Sequence, residues 1–336
     1  MNILIYSPVF YPSVGGLETV TSILASEFVA QGHSVKLISQ TPEITARLFS
    51  FDVIRCPSAL QFVKLANWCD VFFQPSISLW GVWPLLLCPR PWVVSHNNWY
   101  CRDDGRLSWQ DYVKRILLRF ATNISVSQAI ADHFTAPSIV ISNPYRDDLF
   151  RQHPEAVRDR ELVFLGRLVS DKGVDLLLAA LAQLKQYSLT PRLTVVGDGP
   201  ELGFLNHQAH QLGVSDQVTF VGVKVEKELV DILNAHQILV VPSRWQEPFG
   251  IVALEGIACG CVVVGSSAGG LKDAIGDCGI TFPNGDTFAL SEVLRQMLSQ
   301  PNLLNHYREN AFSHLAKHQK KTIAKAYLQV LEDTQP

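Results

Sequence analysis

The chain has 336 residues, 47% of them hydrophobic and 18% charged, with a formal net charge of −3. That length favours two domains, because single cores seldom grow beyond about 250–300 residues, and the composition supplies ample apolar interior. The mildly acidic balance argues against a general nucleic-acid binder, which is usually basic, so no nucleic-acid partner is expected.

Met1 leads directly into the apolar run Ile3–Tyr6, with no basic segment and cleavable apolar stretch, and a cytoplasmic chain is the expectation. The longest apolar stretch, Leu79–Cys88, contains Pro84 and is too short to span a bilayer. The seven cysteines (Cys56, Cys69, Cys88, Cys101, Cys259, Cys261 and Cys278) form no CxxC pair or zinc-like spacing. An odd count of that kind fits a reducing compartment, with Cys259 and Cys261 read as core thiols.

Apolar runs alternate with helical patterns from end to end. In the first half, Ile3–Tyr6, Val35–Ser39, Val53–Cys56, Val71–Gln74, Trp92–Ser95, Ile124–Ser127 and Ile139–Ser142 predict strands. Leu17, Val20, Leu24 and Phe28 fall at helical spacing between the first two, with Gly32 as a stop. The pattern restarts with Leu162–Leu165, Leu193–Val196, Val218–Val221, Ile238–Val241, Cys261–Gly265 and Ile280–Phe282, each followed by a helical segment. Continuous rather than alternating apolar strands imply parallel sheets covered on both faces. The predicted fold class is α/β, with two Rossmann-like βαβ domains facing one another across a cleft. Polar Tyr145–Arg160 is the linker candidate, giving a first domain at 1–153 and a second at 154–318. The final helical segment, 319–336, is expected to cross back to the first domain.

The most informative stretch is Ser243–Gly256, SRWQEPFGIVALEG. The strand Ile238–Val241 ends at Pro242, and Ile251, Val252, Leu254, Ile257 and Ala258 fit one buried helical face. Gly250 therefore lies near a helix N-terminus, where free N–H groups and the helix dipole attract an anion such as phosphate. Glu247 sits in the loop above that terminus, and Glu255 lies about 7.5 Å along the helix. Carboxylates repel phosphate but accept hydrogen bonds from hydroxyls. A diphosphate flanked by a sugar and a ribose suits that arrangement, so the expected ligand is a nucleotide sugar.

Other strand-end loops carry matching chemistry. Gly15 and Gly16, after the first strand, let backbone approach a ligand at a second helix N-terminus; no G-x-G-x-x-G fingerprint is present. In Gly166–Gly173, Arg167 and Lys172 are spaced to reach one diphosphate, the first as a fork and the second as a point charge. Gly197-Asp198-Gly199-Pro200 is a further glycine turn, in which Asp198 is a turn former or a nucleotide contact. Gly222–Lys224 and Trp245 are placed to read base and sugar. His96, ending a first-domain strand, either lines the cleft and touches the reacting sugar or acceptor, or is structural. Tyr112–Phe120 interleaves Lys114, Arg115 and Arg119 with Ile116, Leu117, Leu118 and Phe120. That pattern suits either peripheral contact with an anionic membrane surface or the solvated face of a core helix. No D-x-D follows a strand, since Asp103-Asp104 and Asp147-Asp148 are adjacent pairs. Neither metal nor other cofactor is expected, and Arg167, Lys172 and helix termini would offset the diphosphate charge.

Glu247-Pro-Phe-Gly-Ile-Val-Ala-Leu-Glu255 resembles the E-x7-E element of retaining GT-B glycosyltransferases of family 4. It comes with Gly15-Gly16, Gly166-Arg167…Lys172-Gly173, Gly197-Asp198-Gly199-Pro200 and Gly269-Gly270 in the family's order, across most of the chain. The resemblance implies that Gly16, Arg167 and Lys172 bind the donor diphosphate. It implies that Glu247 holds donor-sugar hydroxyls near the amides of Phe249, Gly250 and Ile251, that Glu255 holds the ribose, and that His96 lies beside the sugar and acceptor. Catalysis would rest on Glu247, His96, Lys172 and Arg167, with Gly15, Gly197, Asp198 and Gly222 completing the donor site. The implied reaction moves a hexose-type sugar to a saccharide or lipid-linked acceptor, with retention, by front-face attack and without a metal. Gly256 stands where relatives usually carry alanine, Asn143-Pro144 replaces the usual Asn-Gly, and Asn97-Asn98 follows His96 where an aspartate is common. The rival readings are a nucleotide-sugar epimerase or hydrolase of the same fold, a nicotinamide-dependent oxidoreductase, and a non-catalytic partner subunit.

Overall fold

The structure, a computed structural model, describes residues 1–13, 15–42, 48–101 and 106–335. It divides into two compact units, residues 1–144 together with 319–336, and residues 145–318. The first unit holds β1 (Asn2–Tyr6), β2 (Ser34–Ser39), β3 (Asp52–Arg55), β4 (Val71–Gln74), β5 (Trp92–His96), β6 (Thr122–Ser125) and β7 (Ser138–Val140). They form one parallel sheet in the order β3-β2-β1-β4-β5-β6-β7.

Both faces of that sheet are covered, which is why its strands read as unbroken apolar runs. Neighbouring Phe72 and Phe73 point to opposite sides, as the two-residue pleat requires. Phe72 packs on Phe62 of helix Ala59–Trp68, with ring centroids 6.3 Å apart. Phe73 meets Phe28 of helix Gly16–Ala30 at 6.5 Å and Tyr327 of helix Lys320–Asp333 at 5.8 Å. The last helix thus packs on the first unit, and its Tyr327 hydroxyl shares a 2.9 Å hydrogen bond with Ser95 of β5. Right-handed crossovers place helices Leu79–Leu87 and Trp109–Leu117 on the Phe62 side.

The second unit holds β8 (Arg160–Leu165), β9 (Leu193–Val196), β10 (Val218–Phe220), β11 (His236–Val241), β12 (Val262–Ser266) and β13 (Gly279–Phe282). Their order is β10-β9-β8-β11-β12-β13, again all parallel. Its core includes Leu177, Leu181 and Leu184 of helix Val174–Leu184, all fully buried under β8 and β9.

Two sequence expectations shift. β6 ends at Ser125 instead of Ser127, because the Ser127 hydroxyl caps helix Gln128–His133 by accepting from Ile130 N at 3.3 Å. The boundary between units falls after residue 144 rather than 153, because Tyr145–Arg160 is not a free linker. Asn234 donates to the Arg151 carbonyl at 3.0 Å and accepts from His153 N at 2.8 Å, while Arg158 donates to the His236 and Cys259 carbonyls at 2.8 and 2.5 Å. These bonds strap the segment to the second unit.

Candidate functional site

In open α/β sheets ligands gather beyond the carboxyl ends of strands, where neighbouring crossovers diverge. In the second sheet that point lies between β8 and β11. The loops following these strands are the Arg167–Lys172 and Arg244–Gly250 segments, and they are locked together through their backbones. Arg244 N and Trp245 N donate to the Asp171 carbonyl at 2.8 and 3.3 Å. Gly173 adopts φ +68°, and a Cβ there would lie 2.0 Å from the Pro242 oxygen, so no side chain fits. Docked this way, the Lys172 ammonium donates to Glu247 Oε1 at 2.5 Å, and the Ser243 hydroxyl donates to the same oxygen at 2.7 Å.

The Glu247 backbone is held equally firmly. Its carbonyl accepts from Gly270 N at 2.7 Å. It also forms a parallel bridge with Gly269, where a Cβ would stand 2.4 Å from the Glu247 oxygen. Asn284, beyond β13, donates to the Ser243 carbonyl at 3.0 Å and accepts from Ala268 N at 2.8 Å, tying the loops after β11 and β12 together. Asn284 and Ser243 had no assigned role in the sequence. The only local signal was the Pro283-Asn284-Gly285 turn pattern, which says nothing of a bond across the sheet.

The remaining donor-side residues sort by environment. Arg167 is exposed in the β8 loop, without an ion-pair partner among the described residues. Gly197 (φ +139°) presses on the loop of Arg167, with a Cβ position 1.9 Å from the Gly166 oxygen, and its N–H donates to the Gly222 carbonyl at 2.9 Å. Asp198 is exposed and accepts from Gly199 N at 2.8 Å, the geometry of a turn former. Gly222 (φ +70°) stands in open space. Phe249 is buried, its ring 5.7 Å from His318, so only its backbone is available to a ligand. Gly250, in the left-handed region at φ +102°, precedes helix Ile251–Ala258; the amides opening a helix lack i−4 partners, and of these Ala253 N donates to the Gly250 carbonyl at 3.0 Å. Glu255 is the fifth residue of that helix. Burial pushes its carboxyl up to about 8, with the Arg146 guanidinium opposing the shift. In the neutral form it both donates and accepts hydrogen bonds. Gly256 also has a packing role, since a Cβ there would come within 2.5 Å of Leu239 on β11.

Gly15, Gly16 and His96 belong to the first unit. Gly15 caps helix Gly16–Ala30, and a Cβ there would meet the Glu18 carboxylate. His96 is completely buried, the environment of its structural alternative. Its ring lies 4.6 Å from that of Phe134 at a tilt of 37°, Nε2 donates to Asn123 Oδ1 at 3.1 Å, and Nδ1 lies 3.5 Å from the Tyr100 hydroxyl. The Asn123 amide nitrogen donates to the Leu118 and Ala121 carbonyls, which turns its oxygen toward the histidine. Burial lowers the imidazole to about 4, so it is neutral at pH 7. The ends of β1 and β2 border a cavity of about 670 Å³ lined by Tyr6, Gln40, Phe62, Ser78, Trp80 and Trp83. Asp103 and Asp104 lie outside the described residues.

Within Tyr112–Phe120, Leu118 is buried in the core of the first unit. Of helix Trp109–Leu117 only Asp111 is buried, while Tyr112, Ile116 and, just beyond, Phe120 are exposed. Among the described residues, no helix is long and apolar enough to cross a membrane.

Solved structures share this architecture. Anabaena HepE in complex with UDP and glucose superposes with a TM-score of 0.85, at 20% identity over 99% of this chain and 100% of that one. Sucrose-phosphate synthase from Thermosynechococcus elongatus gives 0.84, at 20% identity over 99% and 98%. The two parallel-sheet α/β units are those of the GT-B glycosyltransferase fold. Residues 145–314, half of the chain, match the family model described as "Glycosyl transferases group 1", and the chain belongs to that family. Among curated relatives, a glycogen synthase of Mycobacterium tuberculosis is 36% identical over 143 residues, 42% of this chain and 34% of the relative. A D-inositol 3-phosphate glycosyltransferase of Corynebacterium jeikeium is 34% identical over 188 residues, 53% and 45% of the two. The chain thus spans between a third and a half of the length of these relatives.

Proposed function

We propose that the protein is a retaining glycosyltransferase of the family 4 type, moving a hexose-type sugar from a nucleotide-sugar donor to a hydroxyl of a saccharide or lipid-linked glycan. The observation that carries this reading is the Lys172–Glu247–Ser243 cluster at the switch point of the second sheet. A fixed ammonium there binds the donor diphosphate, assisted by Arg167 and the amides opening helix Ile251–Ala258. These same groups stabilise the charge that builds on the leaving diphosphate, without a metal. Glu247 keeps its second oxygen for donor-sugar hydroxyls. Glu255, eight residues further on, takes the ribose. In front-face transfer the leaving diphosphate itself receives the acceptor's proton, so no protein carboxylate attacks the sugar. HepE was solved with UDP and with UDP-glucose, which makes uridine donors the first to test.

The test is a panel of nucleotide sugars, ranked by thermal shift and followed by product analysis with and without candidate acceptors. A bound donor raises the melting temperature by mass action. Sugar transfer that needs an acceptor, lost in Lys172→Ala and in Glu247→Ala, is the expected result. Normal turnover in either variant sinks the proposal. Sugar release or rearrangement from the donor alone points instead to an epimerase or hydrolase.

A further inference from the structure

The cavity at the carboxyl ends of β1 and β2 has a deliberately built wall. A Cβ on Gly81 would lie 2.1 Å from Gln74 Nε2 and 2.5 Å from Tyr6 Cδ1, so glycine alone lets helix Leu79–Leu87 sit this close to the sheet. Gln74, fully buried, fixes the start of that helix by accepting from Ser78 N and donating to the Ser78 carbonyl, both at 3.4 Å. Trp80 and Trp83, three residues apart, then share one side of the helix, and both border the cavity. Tyr6 stacks on Phe62, with ring centroids 5.3 Å apart and planes 15° from parallel. Trp83 meets Phe62 edge-on at 5.8 Å, which completes an aromatic lining.

The lining identifies the ligand. Among the described residues, no charged side chain borders the cavity. Arg55, at the end of β3, donates to the Thr41 carbonyl at 3.2 Å and stays outside it. An anionic group placed there would shed water without gaining a counter-charge. A pure hydrocarbon fits no better, because it would cover polar groups without pairing them. Gln40 is exposed and Ser78 half-buried. Burial pushes the Tyr6 phenol up, against the opposing effect of Gln40 and Ser78, so it keeps its proton at pH 7. A sugar ring meets both demands. Its C–H face lies flat on an aromatic ring, while its hydroxyls, each a donor and an acceptor, pair with an amide and a hydroxyl. The volume of about 670 Å³ is that of a small-molecule site.

We propose that this cavity holds an uncharged sugar ring, with Trp80 stacked on its face and Gln40 and Ser78 on its hydroxyls, and that it rejects phosphorylated sugars. In the transfer proposed above that ring is the terminal residue of the acceptor; this role rests on that reading, whereas the binding does not. The test is a ligand-detected NMR titration of the full chain, without donor, using the methyl α-glycosides of glucose, galactose and mannose, maltose, and glucose 6-phosphate. Saturable binding of at least one neutral glycoside is expected, insensitive to salt, with glucose 6-phosphate at least about tenfold weaker. Trp80→Ala should weaken the neutral ligand about fivefold, and Gln40→Ala by a similar factor. Both side chains are exposed, so both variants should fold and keep the wild-type thermal shift with the donor. With an acceptor ending in that sugar, both should raise KM more than they lower kcat. Failure of every neutral glycoside to bind, undiminished binding by Trp80→Ala, or tighter binding of the 6-phosphate overturns the proposal. Binding of decanol in place of the glycosides overturns it in favour of a hydrocarbon chain. Normal turnover in Lys172→Ala would sink the donor reading alone, and the titration would still decide the cavity.

Discussion

At the ends of β8 and β11 the second unit brings an ammonium, a carboxylate and a hydroxyl into hydrogen-bond contact, whereas the ends of β1 and β5 in the first unit present Tyr6 and His96 as buried rings. The same parallel-sheet scaffold has been finished in two ways. In the second unit, backbone touches backbone at Gly173, Gly197 and Gly269, and the side chains left over are charged and hydrogen-bonded. In the first, aromatic side chains line the space beyond the strands, and polar groups such as Asn123 and Tyr100 serve the rings around them. Recognition of a charged ligand needs fixed donors and acceptors, which tight glycine contacts provide. An apolar or amphipathic ligand needs shape, which no short motif encodes.

This contrast can be broken experimentally. The largest effect belongs to Lys172→Ala and Glu247→Ala, each expected to cut turnover by roughly 10²–10³-fold, as removal of a preorganised electrostatic group does, with little change in melting temperature. Next comes Gly197→Ala. Its new Cβ would sit 1.9 Å from the Gly166 oxygen, at φ +139°, and combined overpacking and backbone strain should cost about 3 kcal/mol or more in denaturant unfolding. Gly222→Ala, at φ +70° with nothing nearby, should cost only about 1 kcal/mol. Equal losses for the two glycines would refute the view that backbone contact sets the site.

Smaller effects separate the units by pH. Glu255 is raised from 4.5 to about 8, so the native state holds a proton that the unfolded chain has released across that window, and stability falls as pH rises through it. His96 is lowered from 6.5 to about 4, so between those values the unfolded chain holds the extra proton and stability falls on acidification. Glu255→Gln should therefore flatten the alkaline side of the melting profile, and a donor whose ribose hydroxyls need a carboxylate acceptor should bind wild type more tightly above pH 8. His96→Gln should remove part of the acid sensitivity and cost about 1–3 kcal/mol through lost buried hydrogen bonds, while its folded fraction keeps most of its kcat. Loss of kcat at unchanged stability would return His96 to the chemistry.

Much of the second unit was legible in the chain. Its six strands, the turn at Gly250 and the spacing of Glu247 from Glu255 follow from local pattern, because strand and helix periods are local properties. The Lys172–Glu247 contact was legible only as two motifs that had to share a ligand. Their direct pairing needed the Asp171 carbonyl and Gly173 to dock one loop on the other. Asn284, forty residues from the loop it braces, left no trace beyond a turn. The two readings of His96 stayed open because a strand end and a polar residue type do not reveal whether Phe134 and Tyr100 close over the ring. Tyr145–Arg160 was read as a linker because it is polar, when Arg158 donates to the His236 and Cys259 carbonyls and the Arg151 carbonyl accepts from Asn234.

Sequence alone determined the alternation of strands and helices, the parallel character of both sheets and the family's loop motifs, since each depends on residues close together in the chain. Tertiary structure alone decided which polar groups meet, which are sealed in, where the first unit ends, and that Ile116 and Phe120 face outward. Those outcomes depend on which segments the sheet order makes neighbours, and on the low tolerance of packed interiors for a misplaced methyl or an unpaired hydrogen bond.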